Sequence, residues 1–171
     1  ATVRELNWRP DVVHCHDWQS GLIPAYLKLK TRTGIVDTFD PFFSNIRSLF
    51  TIHNIGYQGM FSADKLWITG FSPEHFTYDK LEYWGSINFL KTGIVFADHI
   101  STVSKRYSEE IQTEAFGRGL DGVLRARSAD LTGILNGIDV ETWNPATDPH
   151  IAANFTAEDL RGKRECRRAL S

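Results

Sequence analysis

Thr51-Ile52-His53-Asn54-Ile55-Gly56-Tyr57-Gln58-Gly59 continues an apolar run that starts at Ser48, and the reading of this junction decides the fold. Ser48 to Ile52 reads as a short buried strand, and from His53 the chain turns polar, aromatic and glycine-rich, as a loop does. In open α/β sheets ligands gather beyond the carboxyl ends of the strands, so a His-Asn pair at that point lies where chemistry is done. A second stretch, Val12-Val13-His14-Cys15-His16-Asp17-Trp18, has the same form and passes at once into helical sequence. Two such junctions predict one cleft.

Outward from these strands the pattern repeats. Thr2 to Trp8 reads as the end of a helix stopped before Pro10, and Asp11 opens the first strand. Leu22, Tyr26 and Leu29 form one stripe of a helix that Asp17 can cap, with Pro24 tolerated in its first turn. Thr31 to Asn45 sets Gly34, Asp37, Asp40 and Pro41 among Phe39, Phe42 and Phe43, the composition of a lid or an inserted hairpin. Gln58 to Glu82 reads as short helices and loops, and Ser86 to Phe96 as a helix with Ile87, Leu90, Ile94 and Val95 on one face. A strand at Ile100 to Val103, a helix capped by Ser104, a helix at Leu120 to Arg127 and a strand at Leu131 to Leu135 complete the alternation. Strand-helix repetition of this kind predicts an α/β fold, a mainly parallel sheet with helices on both faces. From Asp139 the text becomes a proline-punctuated connector, followed by a charged helix from Ala157 to Leu170 whose few apolar anchors include Leu160 and Leu170.

The totals fit that picture. A chain of 171 residues supports one domain with a substantial core. Apolar residues make up 42% and charged residues 23%, and five Trp and eleven Phe favour a filled core over disorder. The net charge of −2 comes with no basic block of the kind that follows a phosphate backbone, so nucleic acid is not an expected partner. Cys15 and Cys166 belong to no metal spacing and read as thiols of a reducing compartment. No stretch has the length and apolarity of a membrane span, and no signal peptide is evident, so a cytoplasmic location is expected. Ala1 in place of Met, and a helix running to Ser171, lead to the expectation of a piece of a longer polypeptide.

Several clusters have two readings. His14-x-His16-Asp17 at a strand end resembles a two-histidine metal motif that His53, Asp98 or His99 would have to complete, which would make a metal-dependent hydrolase. Alternatively His14 is a hydrogen-bonded core residue and Asp17 a plain helix cap. His53-Asn54 reads either as a general acid/base with an orienting amide or as a satisfied turn, with Gly56 and Gly59 letting backbone approach a ligand. Asn136-Gly137 in isolation is turn chemistry. Gly117 to Gly122 lacks the Gly-Lys-Ser/Thr of a phosphate loop, and no serine stands in a nucleophile elbow. Trp18, Tyr57, Trp67, Tyr83 and Trp84 offer rings that stack on sugars, which would make a non-catalytic glucan-binding module.

Taken in order, His16-Asp17-Trp18-Gln19-Ser20-Gly21-Leu22, Thr51 to Gly59, Ile87-Asn88-Phe89-Leu90-Lys91-Thr92-Gly93, Thr102-Val103-Ser104 and Ile134-Leu135-Asn136-Gly137-Ile138-Asp139 with Trp143-Asn144-Pro145 resemble the bacterial glycogen synthase and plant starch synthase family. The series runs over nearly the whole chain. The resemblance implies two Rossmann-like domains facing across a cleft, of which residues 1–138 are part of the first and residues 139–171 the connector and the start of the second. It implies retaining transfer of glucose from a nucleotide sugar, ADP-glucose above all, to an α-1,4-glucan, with no metal and no cofactor. His53 and Asp17 then match the catalytic positions, and Asn54, Asn136, Tyr57 and Gln58 the substrate-binding ones. The family's lysine-containing glycine-rich loop and its second domain are not in these 171 residues, so the chain alone is expected to be inactive, with that domain as its partner. A bacterial source would place the enzyme in the cytoplasm, a plant source in a plastid. The segment 30–46 looks longer than the family's loop.

Overall fold

The computed structural model describes residues 2–29, 31–33, 36–38, 41–43 and 45–171. It divides into two compact units, Ala1–Leu135 and Asn136–Ser171.

In the first unit the short helix α1 (Thr2–Glu5) precedes β1 (Val12–His16). A 3-10 turn at Trp18–Ser20 leads to α2 (Ile23–Lys28), which has Pro24 in its first turn, where the missing N–H costs nothing. β2 (Thr31–Thr33) and β3 (Val36–Thr38) pair antiparallel, so the inserted segment contains a two-stranded ribbon. Gly34, Phe39 and Asp40 of that segment lie outside the described residues. β4 (Arg47–Ile52) follows and pairs in parallel with β1, with Cys15 opposite Phe50 and His16 opposite Thr51.

β5 (Met60–Ser62), β6 (Glu82–Tyr83) and β7 (Ser86–Asn88) form a small antiparallel sheet. The sequence hides it, since strands of two and three residues are too short to show a period. Its last strand takes the first three residues of the expected helix Ser86 to Phe96, and α3 begins only at Phe89 (Phe89–Phe96). Asn88, in extended backbone, caps it by accepting the Lys91 N–H at 2.9 Å.

Parallel pairing resumes at β8 (His99–Thr102), which lies against β4, and Ser104 caps α4 (Lys105–Glu110) as expected, accepting the Tyr107 N–H at 2.9 Å. α5 (Asp121–Ala126) leads to β9, which ends at Gly133 (Leu131–Gly133) and not at Leu135. The main sheet therefore has the order β1-β4-β8-β9, all parallel, and the α/β class read from the sequence is the class observed.

Phe50, Ile52, Ile100, Leu90, Ile94 and Leu124 are fully enclosed between this sheet and the helices. Each such side chain contributes roughly 1.5–3 kcal/mol of burial. Gly93 lets α3 lie directly on the Phe50 ring, and Gly21 lets the turn before α2 meet the Phe89 carbonyl, contacts that any Cβ would block. The buried Lys91 donates to the carbonyls of Tyr78, Lys80 and Glu82, and so ties the 78–82 turn to α3. Arg127 donates to the carbonyls of Ile94, Val95 and Ala97 and closes the other end of that helix, where a cation also meets the negative end of its dipole.

The second unit contains α6 (Arg161–Ala169), four residues shorter at its start than the charge pattern predicts. Before it, Asp139, Asn144 and Asp148 each accept a backbone N–H two residues on, which fixes the connector as successive side-chain turns. None of its residues is buried.

Candidate active site

β1 and β4 deliver Asp17 and His53 to the same end of the sheet. The Asp17 N–H donates to the Thr51 carbonyl at 3.0 Å, continuing the ladder one residue past the strand, and the Asp17 carboxylate Oδ1 accepts the His53 backbone N–H at 2.8 Å. This corrects the reading of Asp17 as a helix cap, because the 3-10 turn after it has no side-chain cap bond. The bond across 36 residues wins over the local one. It also holds Asp17 at φ 52, ψ −173, a backbone region occupied almost only by glycine, which costs on the order of 1–3 kcal/mol. Strain of this kind persists where the surroundings over-determine it and is concentrated at functional sites.

Three imidazoles stand behind this junction. His16 Nδ1 and His53 Nε2 are 3.1 Å apart, and the His14 and His16 rings lie with centroids 4.1 Å apart, tilted by 37°. His14 Nε2 meets Thr51 Oγ1 at 2.7 Å, and Thr51 Oγ1 meets Ser101 Oγ at 2.7 Å. His14 is therefore hydrogen-bonded, but it lies exposed on an edge strand and not in the core. Desolvation, and then the proximity of His16 and His53, lower its pKa below the ordinary imidazole value. One proton between His16 and His53 makes their bond; two would break it. Between the histidines, Cys15 points to the other face and is buried, and burial pushes its thiol up to about 11, so it is no nucleophile at neutral pH.

Among the described residues no group of three or more His, Cys, Asp or Glu is arranged to hold a metal. Asp98 immediately precedes β8 and His99 begins it, at the amino ends of the strands, where they bind Ser48 and Thr132, away from His53.

The loop after β4 is braced from several sides. Asn54 Oδ1 accepts the Gly56 N–H at 2.9 Å, and the Tyr107 hydroxyl accepts the Ile55 N–H at 3.0 Å. Gln58 donates to the Ile55 and Arg118 carbonyls and accepts from Asn88 Nδ2 at 2.7 Å, while the Gln58 and Gly59 carbonyls take the first N–H groups of α3. Gly59, at φ 62, packs against Trp18, where no Cβ would fit. Tyr57 stays exposed.

Beside that loop lies a cleft of about 610 Å³ lined by Trp18, Tyr57, Gln58, Phe61, Tyr83 and Arg118 among others. Aromatic walls with a few polar groups suit a sugar chain. Arg118 was not singled out by the sequence. It stands at φ 51 between Gly117 and Gly119, and this Gly-Arg-Gly step is the signal that marks it. Asn136 is the first residue of the second unit.

A parallel α/β domain with an acidic residue, a histidine and an aromatic cleft at the carboxyl ends of its strands belongs to the class that binds its ligand at that edge. A sequence model of the starch synthase catalytic domain matches residues 1–126, and the chain belongs to that family. It is similar to the glycogen synthase of Thermotoga maritima, 52% identical over 163 residues that make up 95% of this chain and 32% of that protein. It is similar also to glycogen synthase 2 of Geobacter metallireducens, at 48% over 168 residues, 98% of this chain and 34% of that one. Among solved structures, the catalytic domain of starch synthase IV from Arabidopsis thaliana, bound to ADP and acarbose, superposes with a TM-score of 0.72 at 36% identity, covering 99% of this chain and 34% of that chain. The chain thus spans about a third of the length of the relatives it matches. Among the described residues no helix is long and apolar enough to cross a membrane.

Proposed function

We propose that the polypeptide to which this chain belongs elongates an α-1,4-glucan from a nucleotide-glucose donor, ADP-glucose, with retention at the anomeric carbon. In that reaction the bond from glucosyl C1 to the diphosphate oxygen breaks, a bond from C1 to the acceptor O4 forms, and the acceptor hydroxyl proton leaves with the diphosphate. The transition state carries positive charge on the sugar ring, so fixed dipoles and nearby negative charge lower its energy.

Asp17 supplies the negative potential and fixes the His53 backbone. His53 and Asn54 bind the sugar hydroxyls, and His16 holds the His53 ring in one tautomer. Tyr57 and Gln58 belong to the wall that takes the acceptor, and Asn136 binds the donor sugar. Residues 1–138 are then part of an acceptor-side domain, residues 139–171 lead into a second domain that completes the donor site, and neither metal nor cofactor takes part.

The observation that carries the reading is the Asp17–His53 bond, which holds a strained backbone at the strand ends beside an aromatic cleft. Family membership and the ADP and acarbose bound by the Arabidopsis relative support the choice of substrates. In the full-length enzyme, His53→Ala should lower kcat by about a hundredfold or more. A wild-type rate would refute the assignment. The 171-residue chain alone should give no glucan elongation from ADP-glucose, and measurable elongation would refute the need for a second domain.

A further inference from the structure

The turn joining β6 to β7 consists of two residues, Trp84 and Gly85, with φ of 49 and 78. A two-residue hairpin with both φ positive is the primed type, for which Asn-Gly or Asp-Gly is the favoured sequence. A tryptophan there is strained, and the residue is 86% exposed, so neither turn geometry nor core packing accounts for it.

The turn itself is rigid. Glu82 Oε1 accepts the Gly85 N–H at 2.7 Å, the Glu82 carbonyl takes a bond from buried Lys91 at 2.6 Å, and the β7 residue Asn88 both caps α3 and holds Gln58. Tyr83 is wedged against Gly119, which has no side chain to obstruct it. The Trp84 ring stands edge-on to Tyr83 with centroids 6.4 Å apart, and Tyr83 is part of the wall of the cleft that holds Trp18 and Tyr57. An aromatic path therefore leads from the loop of His53 to the tip of the hairpin.

We propose that Trp84 is a binding platform for α-glucan, on which a glucose unit of the acceptor chain stacks outside the cleft. The proposal rests on the glucan-elongating function stated above. A polymer acceptor extends beyond a cleft of this size, and a rigid, exposed indole continuous with the wall binds the apolar face of a pyranose with little loss of conformational freedom. Because the platform is remote from the reacting end, it acts on long chains and not on short ones.

The test uses the full-length polypeptide, with glycogen and maltotriose as probes. Trp84→Asn places a residue in the turn that suits its backbone better than tryptophan does, so the fold is protected, and Trp84→Tyr retains a ring. Affinity electrophoresis through glycogen should show the dissociation constant rising roughly tenfold in Trp84→Asn and staying within about twofold in Trp84→Tyr. The ratio of the rate on glycogen to the rate on maltotriose should fall in step in Trp84→Asn. Unaltered glycogen binding by Trp84→Asn, in a protein whose parent binds and elongates glycogen, overturns the platform alone and points to a protein partner for the exposed ring. A parent protein that neither binds nor elongates glycogen overturns the functional reading and the platform with it.

Discussion

At the amino ends of β4 and β8, Asp98 accepts the N–H and hydroxyl of Ser48 at 2.8 and 2.9 Å and faces the Lys28 ammonium at 3.1 Å. At the carboxyl ends of the same sheet, Asp17 accepts a single backbone N–H and stands in a left-handed, extended-ψ conformation. Both are aspartates next to a sheet of one polarity, and both hold two strands together. At one end the bonds join residues of which neither, Asp98 or Ser48, stands at positive φ. At the other the bond maintains strain and leaves three imidazoles and an aromatic wall facing outward. The difference teaches that strand direction, more than residue type, separates a cement from a site in this fold.

The largest effect expected from breaking this contrast is on turnover. Asp17→Ala removes the charge and the clamp together and should lower kcat of the full-length enzyme by roughly 10²–10³, comparable to the loss of a preorganised dipole. Steady-state assays with ADP-glucose and glycogen measure it.

Next come changes in the packing that both ends share. Gly93→Ala drives a methyl into the ring of fully buried Phe50 and should destabilise the protein by about 1–3 kcal/mol in urea unfolding, since neither helix nor ring has room to move.

Asp98 gives a pH-dependent term. Burial pushes its carboxyl up, but the Ser48 N–H, the Lys28 ammonium and the Ser48 hydroxyl outweigh that and hold it at about 2. Its folded pKa lies below its unfolded one, so its contribution is complete above about pH 4 and is lost as the pH falls towards 2. Asp98→Asn should therefore lower stability by about 1–2 kcal/mol at pH 7 and much less near pH 2. His14 acts in a higher window. Its lowered pKa makes the neutral ring the favoured form in the fold, so its contribution is complete above the ordinary imidazole value of 6.5 and is lost as the pH falls below it. The smallest effect is on labelling, where Cys166 should react with iodoacetamide at neutral pH well before buried Cys15, as mass spectrometry of tryptic peptides would record.

The sheet was legible because β1 and β4 carry short apolar runs that end in polar residues, and β8, His-Ile-Ser-Thr, was placed by the apolar helix before it and the Ser104 cap after it. Ser104 and Pro24 were legible because their roles are decided within one helical turn. The small sheet was not, since Glu82-Tyr83 and Ser86-Ile87-Asn88 show no alternation and Trp84-Gly85 is not a turn sequence anyone would nominate. Asp17 was misread for a related reason. Its local text offers a helix cap, and only the fold brings the His53 N–H within 2.8 Å. Lys91 and Gln58 belong with it, because their partners at Tyr78, Glu82, Asn88 and Arg118 are nine to sixty residues away.

The contrast between the two ends is tested most directly by measuring kcat and Tm side by side for Asp17→Asn and Asp98→Asn in the full-length enzyme. Asparagine at 17 has the shape of aspartate and keeps an acceptor for the His53 N–H, so it meets the same backbone strain and only the charge is lost. Asp17→Asn should lose most of its kcat at an unchanged Tm, and Asp98→Asn should lose several degrees of Tm with kcat preserved below the transition. Parallel losses of kcat and Tm in both variants, or a wild-type kcat in Asp17→Asn, would contradict the account.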